Sequence, residues 1–115
     1  MGEGFPQSAR LKRSVEFQRV QKTGRRFHTR HFVVCFIEGS TPTARFGLTV
    51  SKRVGNAVVR NRVKRWLREG IRKSRQGFTG SDVVFIAKPA SSDAGQSTVS
   101  QEVRQALHRI QRSQS

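Results

Sequence analysis

Acidic residues are scarce in this sequence: seven Asp and Glu stand against 23 Lys and Arg, a formal charge of +16 over 115 residues. A nuclease that held metal ions on its own carboxylates would need acids close together, and these seven are scattered. Cysteine is scarcer still. The single Cys35 excludes an internal disulfide and suits a reducing compartment. No apolar run outlasts Phe32–Ile37, which falls far short of the roughly 20 residues that span a bilayer. Met1–Pro6 lack the basic segment and long apolar stretch of a secretory signal, and Pro6 breaks the myristoylation pattern. Hydrophobic residues make up only 34%, which raises disorder as an alternative, but eight Phe and clustered, periodic apolar positions argue for a folded core. A compact fold with this charge repels itself unless a polyanion supplies the counter-charge. The composition thus points to a small cytoplasmic protein that binds nucleic acid, with no membrane and no obligatory protein partner.

The length allows one layered domain. Residues 1–10, with Gly2, Gly4 and Pro6, read as a loose leader, and 11–112 as a single domain. Ser14 is expected to cap a short helix that ends near Lys22, before Gly24. Phe32–Ile37 reads as a strand covered on both faces, with Arg26–Arg30 as its polar extension or a further strand. Phe46–Ser51 alternates as a half-buried strand does, and Gly39–Thr43 between the two reads as a hairpin loop. Asp82–Ala87 is the last strand. A helix is expected from the cap Asn56 to about Arg75, and another from Thr98, with Gln101 completing a capping box. This order predicts an α/β (α+β) fold: a two-layer sandwich of about four strands and three helices.

The segment from Lys52 to Arg75 carries ten basic residues and one acid, Glu69. On a helix, Val59, Val63, Trp66 and Leu67 share an arc that faces a sheet. Asn61, Lys64, Arg65, Arg68 and Arg72 share the opposite arc, with Arg62 beyond them. A solvated helix face mixes both signs at three- and four-residue spacing, and here there is almost no acid to mix. A row of guanidinium and ammonium groups matches a phosphate backbone instead. Upstream, Gly55 and the first free amides of this helix offer an anion site or a plain strand-to-helix turn, two readings that stay open.

Gly55–Arg65, with Arg60-Asn61-Arg62 at its centre, resembles the signature of bacterial ribonuclease P protein subunits. The resemblance extends through Phe46–Val54, Glu16–Val20, Arg30–Val34 and Asp82–Pro89, in order, over about residues 10–110. It implies a partner that is a catalytic RNA, which cuts the 5′ leader from precursor tRNA with Mg2+ held largely by RNA. The protein alone would bind no cofactor or metal and supply no catalytic side chain. RNA contacts would fall on Lys52, Arg53, Asn56, Arg60, Asn61, Arg62, Lys64, Arg65 and Arg68, and a leader cleft on Phe17, Arg13 and Lys52. The resemblance also implies a left-handed crossover between two parallel strands, against the general rule. Gln21 and Cys35 stand where some members carry aromatics, which leaves the number of stacking rings open. Without the resemblance, Phe17 reads most simply as core.

The remaining constellations are weak. His28 and His31 have no neighbouring Cys or carboxylate cluster for a metal site, Cys35 reads as buried packing, and His108 reads as surface with an auxiliary RNA contact. A ribosome-associated RNA binder is the alternative function, and the Arg60-Asn61-Arg62 block argues against it. A double-stranded DNA reader lacks helix-turn-helix spacing and zinc-finger ligands, and Gly70 would weaken its long recognition helix.

Overall fold

A computed structural model describes residues 7–113, so the Met1–Pro6 part of the expected leader lies outside the described residues. The rest of that leader is packed. Gln7–Ala9 form a 3-10 turn, Ala9 is buried, and Leu11 N–H donates to Phe46 O at 2.9 Å. Helix α1 (Ser14–Thr23) follows, then β1 (Arg25–His28), β2 (Phe32–Thr43), β3 (Arg45–Thr49), α2 (Ala57–Ser74), β4 (Thr79–Ala87) and α3 (Gln96–Ser113).

The four strands form one sheet in the order β1-β2-β4-β3, antiparallel except where β3 runs parallel to β4. The central places go to β2 and β4, the two strands with continuous apolar runs, because only a central strand is covered on both faces. This overturns the hairpin expected at Gly39–Thr43. That stretch continues β2, and β3 pairs with β4 rather than with its neighbour in sequence.

Two cores flank the sheet. Phe32, Val34, Phe36, Phe46, Val83 and Phe85 face the stripe of α2 (Val63, Leu67, Ile71) and that of α3 (Val99, Val103, Leu107, Ile110). On the other face Cys35 and Val84 meet Leu11 and Val20, with Phe17 packed against them. The expected two layers are the sheet with α2 and α3, and α1 adds a third, thinner layer behind. Phe46 also sets the hand of the β3–α2–β4 crossover. Its ring faces α2 while its carbonyl points away from β4, to Leu11. For an L-residue, that places β4 to the left of β3 when viewed from the α2 side with both strands pointing up. The crossover is therefore left-handed, against the usual preference.

Two helix starts differ from the sequence expectation. Arg13, not Ser14, occupies the N-cap of α1, where Glu16 reaches back to accept from the N–H groups of Lys12 (3.1 Å) and Arg13 (3.2 Å). Helix α3 begins at Gln96 rather than at Thr98, because Gly95 with φ +85° turns the chain just before it and accepts from Val99 N–H at 3.1 Å.

Candidate nucleic-acid interface

Helix α2 starts where the sequence placed it. The Asn56 side chain caps it by accepting from Val59 N–H at 3.0 Å. Gly55 has φ +156°, and a Cβ there would lie 2.8 Å from Val59 Cγ1, so the tight turn into the helix requires glycine. Buried Val54 pins the turn to the core, leaving Lys52, Arg53 and Asn56 exposed beside the first turn of the helix. Along α2, Asn61, Arg62, Arg65 and Arg68 are exposed, while Arg60 and Lys64 are half-buried. The Arg60 Nε is covered and makes no hydrogen bond.

Little negative charge answers this arc. Glu69 is taken by the forked guanidinium of Arg72 (2.9 and 2.5 Å) and by Lys73 (3.7 Å), which hold its carboxyl below the usual range. No acid forms an ion pair with Arg60, Arg62, Lys64, Arg65 or Arg68 among the described residues. Two other acids, Asp82 and Glu16, are used elsewhere. Buried Asp82 takes Arg45 bidentately (3.1 and 2.8 Å), with Arg19 at 3.6 Å, and Glu16 takes the remaining Arg45 nitrogen at 2.9 Å. Hydrogen bonding to Asp82 raises the Arg45 pKa against the effect of burial, and the guanidinium ties α1 to the sheet. Sequence reasoning missed this network because its members are 29 and 37 positions apart.

Phe17 sits at the edge of the same surface. Its ring lies over Gly47, where a Cβ would come within 2.6 Å of Phe17 Cε2. The half-buried ring belongs to a cleft of about 160 Å3, lined also by Arg10, Leu11, Leu48, Lys64 and Arg68. Of the three expected cleft residues, the structure brings Phe17 to α2 cations. Arg13 lines an adjoining hollow with Arg10, Lys12 and Arg45, and Lys52 lines neither.

Among the described residues no three His, Cys, Asp or Glu come close enough together to hold a metal ion. Burial pushes the Cys35 thiol pKa up, away from the reactive thiolate. His31, which the sequence left without a carboxylate neighbour, does find one. Its ring Nδ1 pairs with Glu102 on α3, 71 positions away, and the same carboxylate accepts from His31 N–H (3.1 Å) and the Thr29 hydroxyl (2.7 Å). One carboxylate and one imidazole form a latch between α3 and the β1–β2 turn.

The chain as a whole has counterparts among known proteins. The family model for ribonuclease P matches residues 5–111. The chain belongs to the ribonuclease P protein family. The ribonuclease P protein component of Desulforapulum autotrophicum is 37% identical over 110 residues, covering 95% of this chain and 94% of its own. That of Desulfovibrio desulfuricans is 44% identical over 93 residues, 78% of this chain and 72% of its own. A Staphylococcus aureus RNase P protein mutant superposes with a TM-score of 0.84 at 30% identity, over 90% of this chain and 89% of that one. The RNase P protein from Thermotoga maritima superposes with a TM-score of 0.79 at 30% identity, over 87% and 96%. As a ribonuclease P protein, the chain is a subunit of the endoribonuclease that matures the 5′ end of tRNA, and it partners an RNA subunit.

Proposed function

We propose that the exposed arc of α2, with Lys52, Arg53 and Asn56 at its start, grips the phosphate backbone of the catalytic RNA, and that the Phe17 cleft takes the 5′ leader of precursor tRNA. The observation that carries this is the row of cations on α2 with no acid partner among the described residues, running directly into an aromatic cleft. Arg62, Arg65 and Arg68 present planar forks to phosphate oxygens, and Asn61 adds a neutral hydrogen-bonding group between them. Lys64 and Arg68 reach the cleft, where a single strand can lay its phosphates on them and a base on the Phe17 ring.

In this reading the protein positions RNA and contributes no catalytic group, and the Mg2+ of the holoenzyme is held by RNA. The placement is cytoplasmic. No helix among the described residues is long and apolar enough to cross a membrane.

The test replaces Arg60, Arg62 or Arg65 by Ala in the full chain. Binding to the RNA subunit weakens while the melting temperature holds, and the slope of log K against log salt flattens by about 0.7–0.9 for each phosphate no longer neutralised. Unchanged binding with a lower melting temperature would make these residues structural. Reconstitution with the cognate RNA checks the activity itself: the protein restores precursor cleavage at low magnesium.

A further inference from the structure

A second basic row lies on α3, outside the surface described so far. Arg104, His108 and Arg112 recur every four residues, and all three are exposed. At 1.5 Å per residue they form a line about 12 Å long on the side opposite the buried stripe. With Gln105 they line a shallow concavity of about 400 Å3.

The bland explanation is a helix end dressed with cations to suit its dipole, which acts within the last turn. It accounts for Arg112 alone, since Arg104 and His108 stand before the last turn. Nor is this a mixed-charge solvated face. The one acid on α3, Glu102, is turned inward to His31 and Thr29, so no carboxylate stands three or four residues from any member of the row. Arg109 shows what a structural arginine on this helix looks like: its guanidinium rests 4.2 Å over the Phe27 ring. The row also lacks apolar neighbours, because the exposed large hydrophobics among the described residues, Val15 and Val58, lie on α1 and α2. That favours a polyanion over a protein surface or a lipid bilayer.

Position narrows the polyanion. Helices α2 and α3 touch where a Cβ on Gly70 would lie 3.1 Å from Ser100 Cα, and Gln96 Nε2 donates to Trp66 O at 2.9 Å. Both turn their apolar stripes to the sheet, so their outer arcs share the solvent side. Helices in such contact lie about 8–10 Å apart, within the reach of one folded RNA.

We propose that Arg104, His108 and Arg112 form a second phosphate-binding row for the same RNA subunit that α2 grips, making that RNA-holding surface two helices wide. This rests on the reading that α2 binds RNA, and the experiment separates the two. The full-length double variant Arg104→Gln/Arg112→Gln is titrated with the RNA subunit at several salt concentrations. The holoenzyme assembled from it is then titrated with precursor tRNA. The expected result is weaker binding of the RNA subunit; weakening confined to the precursor tRNA titration overturns the proposal. The salt slope of RNA-subunit binding flattens by about 0.7–0.9 for each phosphate released. Arg104→Lys/Arg112→Lys, which keeps the charge, retains the slope. Unchanged slopes in both titrations overturn the proposal, as does equal weakening by the Gln and Lys pairs. The parallel variant Arg62→Gln/Arg65→Gln reports on α2: if only this one flattens the slope, the α2 reading stands and the α3 row falls.

Discussion

Phe17 is neither a core side chain nor a free one, and Gly47 decides this. With no side chain at position 47, the ring lies directly on the sheet and keeps its other face in the cleft. Phe17→Ala is expected to weaken precursor tRNA binding by about 1–3 kcal/mol while mature tRNA is little affected, because only the precursor has a single strand to stack. The loss of folding stability should fall below the roughly 3–5 kcal/mol of a fully buried Phe. Gly47→Ala should mimic this loss by displacing the ring, at a cost in stability of about 1–3 kcal/mol. Paired melting and binding measurements on the two variants check it. Equal weakening for precursor and mature tRNA would return Phe17 to packing alone. Sequence reasoning identified Phe17 through its family position, but the glycine beneath it was invisible because the two are paired only by the docking of α1 on the sheet.

At the scale of elements, the ends and contacts of α2 carry the interface. Asn56 accepts one of the free N–H groups of its first turn, so Asn56→Ala is expected to cost about 1 kcal/mol in chemical denaturation. Gly70, which read from sequence as a weakness in a long helix, lies against α3, with Ser100 Cα 3.1 Å and Val103 Cγ2 3.3 Å from where its Cβ would be. Helix α3 is fastened at its other side by Glu102. Burial works against this carboxylate, but hydrogen bonds from the His31 ring, the Thr29 hydroxyl and the His31 N–H outweigh it and hold the pKa below the usual range. A carboxyl depressed in the folded state stabilises the protein above its unfolded pKa, about 4.3, and that stability is lost as pH falls through the folded value. Wild type should therefore lose more stability between about pH 5 and 3 than Glu102→Gln, as urea midpoints across that range will show. Parallel loss in both proteins would remove the latch from the account of acid sensitivity.

Across the whole molecule, four of the seven acids are paired within the fold itself. Glu16, Glu69 and Asp82 pair with neighbouring cations of the fold and Glu102 with the His31 ring, so the outer surface keeps a large positive excess. With a formal charge of +16 and a radius of gyration of 13.0 Å, like charges lie within a few screening lengths of one another. Moderate salt is therefore expected to raise the melting temperature of the free protein while it lowers affinity for RNA. Thermal scans of the free chain between about 20 and 300 mM salt test the first half. A melting temperature that stayed flat or fell would show that self-repulsion does not limit this fold.

Local signals in the chain determined the elements, the cap at Asn56, the cation-rich arc of α2 and, through the Arg60-Asn61-Arg62 block, the family. Each depends on residues within a few turns of one another, where periodicity and charge segregation are legible. While the left-handed crossover was implied only through the family resemblance, tertiary structure alone decided that β4 separates β2 from β3 and that Phe17 shares its cleft with Lys64 and Arg68. It also joined Arg45 to Asp82 and His31 to Glu102. These pairings link distant residues through the way layers stack, and spacing along the chain holds no record of that. A continuous apolar strand must be covered on both faces, but the identity of its neighbours follows only from packing the entire sheet.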